Sequence, residues 1–240
     1  MGLEKFLLDR LDSQQRKRLR QWRRRVTHPA RMGTLRTTTP LSDRYGADRG
    51  TPVDRYYIER FMRENQASIR GRVLEIKEPL YTARFGTQVS QADVLDIDAS
   101  NPKATIICDL AAADGVPSNT FDCFVLTQTL QMIYDVRAAV SHAHRMLRPG
   151  GVFLVTVPVT SRVIPGAGLQ MDYWRFTLAS CHRLFEDVFG AAHTQVQAHG
   201  NVLTSIAFLA GMAHEELSQA ELDATDPYFP LLISVRAVKT

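Results

Sequence analysis

The chain has 240 residues and a mass of 27.0 kDa, enough for one sizeable core and an appendage. Hydrophobic residues at 45% and charged residues at 22% exclude wholesale disorder. No apolar run approaches the roughly 18 residues that a membrane-spanning helix needs, and the N-terminus is too charged for a secretory signal, so a cytoplasmic protein is expected. The net charge of +4 conceals an asymmetry: up to Arg36 there are 11 Lys/Arg against 3 Asp/Glu, a local +8, and the remainder carries −4. Cys108, Cys123 and Cys181 are odd in number and widely spaced, which gives neither a disulfide framework nor a zinc pattern, and no metal site is expected.

Residues Gly2 to Val26 predict an amphipathic helix, because Leu3, Phe6, Leu7, Leu11, Leu19, Trp22 and Val26 recur at helical spacings. Arg16, Lys17, Arg18, Arg20, Arg23, Arg24 and Arg25 fill its other face. Such charge suits nucleic acid, anionic lipid or an acidic partner, or a solvated helix packed on its own or a sister domain, as in a homodimer. Nucleic acid is disfavoured, since few aromatics interleave the arginines. Thr27 to Arg49, rich in Thr, Pro and Gly, reads as a linker, which divides the chain into a basic helical extension over 1–50 and a domain over 51–240.

A second helix is expected from Thr51-Pro52-Val53-Asp54 to about Ser68, with Thr51 and Asp54 forming a capping box and Tyr57, Phe61 and Met62 facing the core. From Arg72 the pattern changes to short apolar runs: Arg72 to Ile76, Ala92 to Ile97, Ala104 to Cys108 and Phe121 to Leu126. A helix from Val136 to Leu147 and the turn Arg148-Pro149-Gly150-Gly151 then lead into a strand from Val152 to Val157. Runs this apolar suit a parallel sheet covered on both faces, and the alternation implies a doubly wound, mostly parallel α/β domain. About 15 residues separate the first two strands, room for a stunted helix, whereas about six separate the second and third, too few for a helical crossover. A strand order of 3-2-1-4-5 therefore requires a bare loop across the sheet edge. A Gly-containing loop from Pro158 to Leu169, a helix from Thr177 to Phe189, partial helix over Val202 to Leu217 and a strand from Leu231 to Val238 complete the chain.

Three features in fixed order carry a resemblance: Asp109, the Asn119-Thr120-Phe121-Asp122 lead-in to the fourth strand, and the Leu147-Arg148-Pro149-Gly150-Gly151 turn before the fifth. Together they resemble class I S-adenosylmethionine-dependent methyltransferases of the type 11-like group, over roughly residues 71 to 190. Within that family, Asp172-Tyr173-Trp174-Arg175-Phe176-Thr177 and the short link after Asp96 look like a bacterial branch associated with glycan or sugar biosynthesis. The resemblance implies a Rossmann-like fold, S-adenosylmethionine as cofactor, and methyl transfer to a hydroxyl or amine of a small-molecule acceptor such as a sugar or secondary metabolite.

The resemblance also assigns residues. Asp96, with Asp98 as alternate, would grip the ribose hydroxyls, because a carboxylate offers two acceptor oxygens to a diol. Asp109 would meet the adenine amino group, with the Leu110 amide on the ring. Thr127 and Gln128, beyond the fourth strand, would lie beside the transferable methyl. Asp172 and Tyr173 occupy the acceptor-side motif as candidate catalytic residues, Asp172 as the group able to take a hydroxyl proton. Arg55, Tyr56, Tyr57 and Trp174 are candidate acceptor contacts, each equally readable as a packing residue. No histidine reads as a base; His142 and His144 are expected to pack or lie at the surface.

One departure falls at the first strand, where the family's acidic residue runs into a glycine-rich turn. Here Leu74-Glu75-Ile76-Lys77-Glu78-Pro79-Leu80-Tyr81-Thr82 keeps the acid at Glu75 but has no glycine until Gly86. Lys77 or Arg84 can replace backbone amides by pairing with the cofactor carboxylate. Two further readings stay open: a methyltransferase-like protein that has lost transfer and serves as a binding or scaffold subunit or runs another reaction in the same pocket, and a nucleic-acid-associated methyltransferase using the basic helix.

Overall fold

The structure, a computed structural model, describes residues 12–164 and 170–240. The described residues fall into two compact units, one within residues 1–39 and the other within 40–240. In the first, α1 (Ser13–Thr27) begins at a capping box in which Asp12 Oδ1 accepts the Gln15 amide at 2.8 Å and Gln15 Oε1 accepts the Asp12 amide at 3.0 Å. Satisfying two orphan amides at once starts the helix there. The earlier part of the expected helix, with Leu3, Phe6, Leu7 and Leu11, lies outside the described residues.

The second unit is built on a seven-stranded sheet of order β3-β2-β1-β4-β5-β7-β6. Its strands are β1 (Gly71–Ile76), β2 (Val89–Asp96), β3 (Ile106–Ile107), β4 (Phe121–Thr127), β5 (Leu147–Pro158), β6 (Thr194–His199) and β7 (Leu232–Val238). β1 to β5 pair in parallel, and β7 runs antiparallel to both β5 and the edge strand β6. The expected 3-2-1-4-5 order is present, with a two-strand extension at one side.

Both faces are covered, which is why the middles of the central strands are mostly apolar, as in Cys123–Leu126 and Val152–Val155. On one face Leu74, Phe124, Leu126, Phe153 and Val155 pack with α4 (Val136–Met146) and α5 (Leu178–Phe189) through Val140, Met146, Leu184 and Phe185. On the other, Val73, Cys123, Val125 and Leu154 pack with α2 (Val53–Glu64) through Tyr57, Ile58, Phe61 and Met62, and with α3 (Leu80–Phe85) and α6 (Val202–Ala210). Each such large apolar side chain contributes about 1.5–3 kcal/mol on burial.

α3 is the stunted helix expected between the first two strands, and the β2–β3 link is a bare loop. Several local expectations change. The Thr51–Asp54 capping box does not form: the Thr51 amide and hydroxyl both donate to Glu215, Pro52 stands at the cap, and Asp54 Oδ1 is buried with no partner among the described residues. Burial pushes the Asp54 carboxyl above its usual range. α2 ends at Glu64 rather than Ser68, and a separate 3-10 turn spans Gln66–Ser68.

β5 begins at Leu147 and absorbs the Arg-Pro-Gly-Gly segment expected as a turn. A Cβ on Gly151 would lie 2.8 Å from the Arg148 carbonyl oxygen and 3.0 Å from that of Phe121, so only glycine lets the chain pass there. The expected linker divides as well. Its second half is bonded into the domain, with the Leu41 amide on the Ala210 carbonyl at 2.7 Å and Arg49 paired with Glu216 at 2.5 Å. β6 and the short α7 (Gln219–Asp223) have no counterpart among the expected elements.

Candidate active site

In an open α/β sheet the ligand crevice opens beyond the carboxyl ends of the strands, where successive connections leave on opposite faces. Here that point lies between β1 and β4. The residue following each of these strands is a non-glycine in left-handed backbone, Lys77 at φ 67° and Gln128 at φ 47°. The conformation costs an L-residue about 1–2 kcal/mol, and such strain collects at functional sites.

The Lys77 turn is held from three sides. Its amide donates to the Leu95 carbonyl at 2.9 Å. Its carbonyl accepts Asn101 Nδ2 at 2.7 Å, and the same Nδ2 donates to Asp96 Oδ2 at 2.6 Å. Asn101 Oδ1 accepts the Lys103 amide at 3.0 Å, which fixes which end of the side chain carries the donors. Beneath the turn, the buried Glu75 carboxylate accepts the Tyr81 and Thr82 amides at 2.9 and 2.8 Å. Glu75 thus caps α3 and positions the rebuilt loop; burial raises its carboxyl above the usual range.

Asp96 ends β2 half-buried, its Oδ1 accepting the Asp98 amide at 3.0 Å. Asp98 is exposed and turned back onto Ser100, whose hydroxyl and amide hold its carboxyl below the usual range. It supports the loop, and Asp96 is the acid at the end of β2. Asp109 is exposed, with Oδ1 on the Ala111 amide at 2.9 Å, and the following Leu110 is buried. Thr127 ends β4 and Gln128 follows it, the Gln128 amide donating to the Thr156 carbonyl at 2.8 Å.

The acceptor-side residues divide. The Asp172 side chain has no exposed surface; it pairs with Arg175 at 2.5 and 3.0 Å and accepts the Ile164 amide at 3.1 Å. The Arg175 guanidinium holds its carboxyl below the usual range. A carboxylate so paired is a weak base, and its position corrects the catalytic expectation: Asp172 and Arg175 pin the chain on either side of residues 165–169. Gly166 and Gly168 of the Gly-containing loop lie outside the described residues.

Tyr173 and Trp174 are exposed and meet Tyr134, which is 71% exposed, at ring-centroid distances of 5.3 and 6.0 Å. Trp174 Nε1 donates to the Ile133 carbonyl at 3.0 Å. Tyr134 and Gln131 escaped the sequence reading. Gln131 Nε2 donates to the Gln128 carbonyl at 2.8 Å, its own carbonyl accepts the Tyr173 amide at 2.8 Å, and its Oε1 is buried with no partner among the described residues. It links the strained turn after β4 to the acceptor-side segment.

Arg55, Tyr56 and Tyr57 are not brought together at the crevice. Arg55 donates to the Tyr81 hydroxyl at 2.7 Å, and Tyr56 donates to Asp223 at 2.7 Å. Tyr57 is wholly buried on the Leu222 carbonyl at 2.9 Å, which makes it a core residue and not an acceptor contact. His144 packs edge-on against Phe189 at 4.8 Å. A cavity of about 620 Å³ lies at the opposite end of the sheet, lined by Gly71, Asp122, Gly151 and Arg236. Among the described residues no group of three or more His, Cys, Asp or Glu is placed to hold a metal ion.

A doubly wound sheet with a strained crevice at its switch point defines a Rossmann-like α/β protein. Residues 74–155, from within β1 to within β5, match the family described as a methyltransferase domain. A protein of Mycolicibacterium smegmatis described as "Probable S-adenosylmethionine-dependent methyltransferase" is 33% identical over 88 residues, covering 37% of this chain and 34% of that protein. The match thus spans about a third of that relative's length. An S-adenosylmethionine-dependent methyltransferase from Mesorhizobium loti superposes with a TM-score of 0.51 at 15% identity, over 78% of this chain and 98% of that one. One from Archaeoglobus fulgidus gives 0.50 at 10% identity, over 77% and 94%. The segment from Leu74 to Val155 is thus similar to the methyltransferase domain family, and the fold resembles that of the Mesorhizobium loti protein.

Proposed function

We propose that the protein binds S-adenosylmethionine in the β1–β4 crevice and transfers its methyl group to a hydroxyl or amine of a small molecule, a sugar or secondary metabolite. The carrying observation is that Asp96 and Asp109 stand at the carboxyl ends of adjacent strands β2 and β3, beside the strained Lys77 turn, inside the segment that matches the family. The residues fit the group: Asp96 offers carboxylate oxygens to a diol and Asp109 to an exocyclic amine. Lys77 offers an ammonium to the methionine carboxylate in place of the amides of a glycine loop. The cofactor supplies an electrophilic methyl on a sulfonium.

The chain itself aligns the acceptor and excludes water. Gln131 Oε1 is the buried acceptor nearest that task, since an unpaired amide oxygen gains most by accepting a substrate donor. The Tyr134, Tyr173 and Trp174 rings suit an acceptor with an apolar face, such as a sugar ring. Calorimetric titration with S-adenosylhomocysteine tests the reading. Saturable binding that weakens in Asp96→Ala and Asp109→Ala supports it, and no heat at millimolar ligand rejects it.

A further inference from the structure

We infer that α1 lies in the plane of an anionic membrane surface and carries the protein to it. The sequence and geometry of the helix are the ground. From Ser13 to Ser42 there is no Asp or Glu, while nine Lys/Arg occur, seven of them within α1. Its capping box makes the helix self-sufficient at its start, and none of its residues is buried.

At 100° per residue, Leu19, Trp22 and Val26 fall on one narrow stripe, and they are 39, 56 and 58% exposed. Arg18 borders the stripe on one side and Arg23 and Arg16 on the other, while Lys17, Arg20, Arg24 and Arg25 cover the remainder. A helix lying in a bilayer interface needs this combination: an indole and aliphatics to enter the acyl boundary, and flanking arginines whose long stems keep the guanidinium among the phosphates. A notch of about 390 Å³ lined by Arg20, Arg23, Arg24, Thr27 and His28 gives a phosphate-bearing headgroup a cationic seat. Among the described residues no helix is long and apolar enough to cross a membrane, so the contact is with the surface.

Nucleic acid shares the phosphate chemistry but leaves the Leu19–Trp22–Val26 stripe in water. A lipid surface buries it.

The test is co-sedimentation of the full chain with vesicles of phosphatidylcholine, alone or mixed with phosphatidylglycerol, read together with tryptophan emission. The chain should bind the anionic vesicles and not the neutral ones, and binding should weaken as salt rises. Its emission should shift to the blue and be quenched by brominated acyl chains. Of the two tryptophans, Trp22 is the one that moves, so Trp22→Phe should abolish the shift. Each cation near an anionic surface is worth roughly fivefold in partitioning, so replacing Arg20, Arg24 and Arg25 together by Gln should weaken binding on the order of a hundredfold, with the melting temperature unchanged. Absent vesicle binding, equal binding to neutral vesicles, or binding with no change in Trp22 emission each overturns the inference. Salt-dependent binding of duplex DNA or RNA by a chain that ignores vesicles overturns it in favour of nucleic acid.

Discussion

Lys77→Gly should stabilise this protein while weakening its hold on the cofactor. Lys77 is exposed, so truncation removes little packing, and its φ of 67° lies where a side chain is strained. Relief is about 1–2 kcal/mol, and the greater freedom of glycine in the unfolded chain returns about 0.5–1 kcal/mol. The net gain of about 0.5–1 kcal/mol corresponds to a rise of roughly 1–4 °C in melting temperature for a chain of this size. Lys77→Ala is the control, because it loses the same ammonium but keeps the strain; it should melt at or slightly below wild type. Both variants lose the charge-assisted contact to the cofactor carboxylate, and affinity for S-adenosylhomocysteine should fall about tenfold in each. Scanning calorimetry and titration read the two effects separately. If the Gly and Ala variants melt together, strain at the turn is not what distinguishes them and the backbone argument fails. If affinity is unchanged in both, Lys77 is not the carboxylate's partner.

His199 is buried between Ser234, 2.7 Å from Nε2, and Arg60, and burial, with the Arg60 charge, pushes its pKa down to about 4 from 6.5. The unfolded chain then binds a proton that the folded one refuses, so stability is full above about pH 6.5 and falls by on the order of 3 kcal/mol as pH drops to about 4. Urea titrations across that range should show a shallower slope in His199→Gln, and parallel curves would exclude His199 as the source. Asp172→Asn removes the charge from a partly buried pair with Arg175 and should cost about 1.5–3 kcal/mol with cofactor affinity unchanged. An unaltered melting temperature with slowed transfer would return Asp172 to the chemistry.

The parts of the fold legible in the sequence are those buried on two sides. β4 and β5 carry continuous apolar runs, β1 one broken only by Glu75, and α4 and α5 show a clear 3.6-residue period, so their order followed from residue types alone. β6 escaped because Thr-Gln-Val-Gln-Ala-His is an edge strand with only Thr194, Ala198 and His199 buried, and alternation that weak does not announce a strand. Asp96 and Asp109 were legible as candidates only through the family resemblance, which expects an acid at the end of each of these strands. The support around them was not. A left-handed turn is ordinarily signalled by glycine, and Lys77 and Gln128 carry no such signal. Asp172 was readable as a site residue only while Arg175, three positions on, was not seen to consume its charge.

Asn101 shows the same limit and provides the sharpest test of the crevice. In the sequence it is one residue of a short polar link; in the fold its amide nitrogen joins the Lys77 carbonyl to the Asp96 carboxylate, across 24 and five residues. It therefore sets the distance between the cofactor's two proposed anchors. Asn101→Ala removes both bonds and should lower affinity for S-adenosylhomocysteine equally at all pH values, because nothing titratable is added. Asn101→Asp is nearly isosteric but puts a second carboxylate against Asp96, and like charges that close cannot both ionise freely. The pair's upper apparent pKa must rise, and below it one shared proton rebuilds a bond between the facing oxygens. Affinity in Asn101→Asp should thus be poor at pH 8 and recover relative to wild type and Asn101→Ala as the pH is lowered. The recovery runs against acid's general tendency to weaken a carboxylate site, so a destabilised domain would not imitate it. If the Asp variant tracks the Ala variant, Asn101 does not hold Asp96 for the cofactor, and the loop's role in binding has to be sought elsewhere.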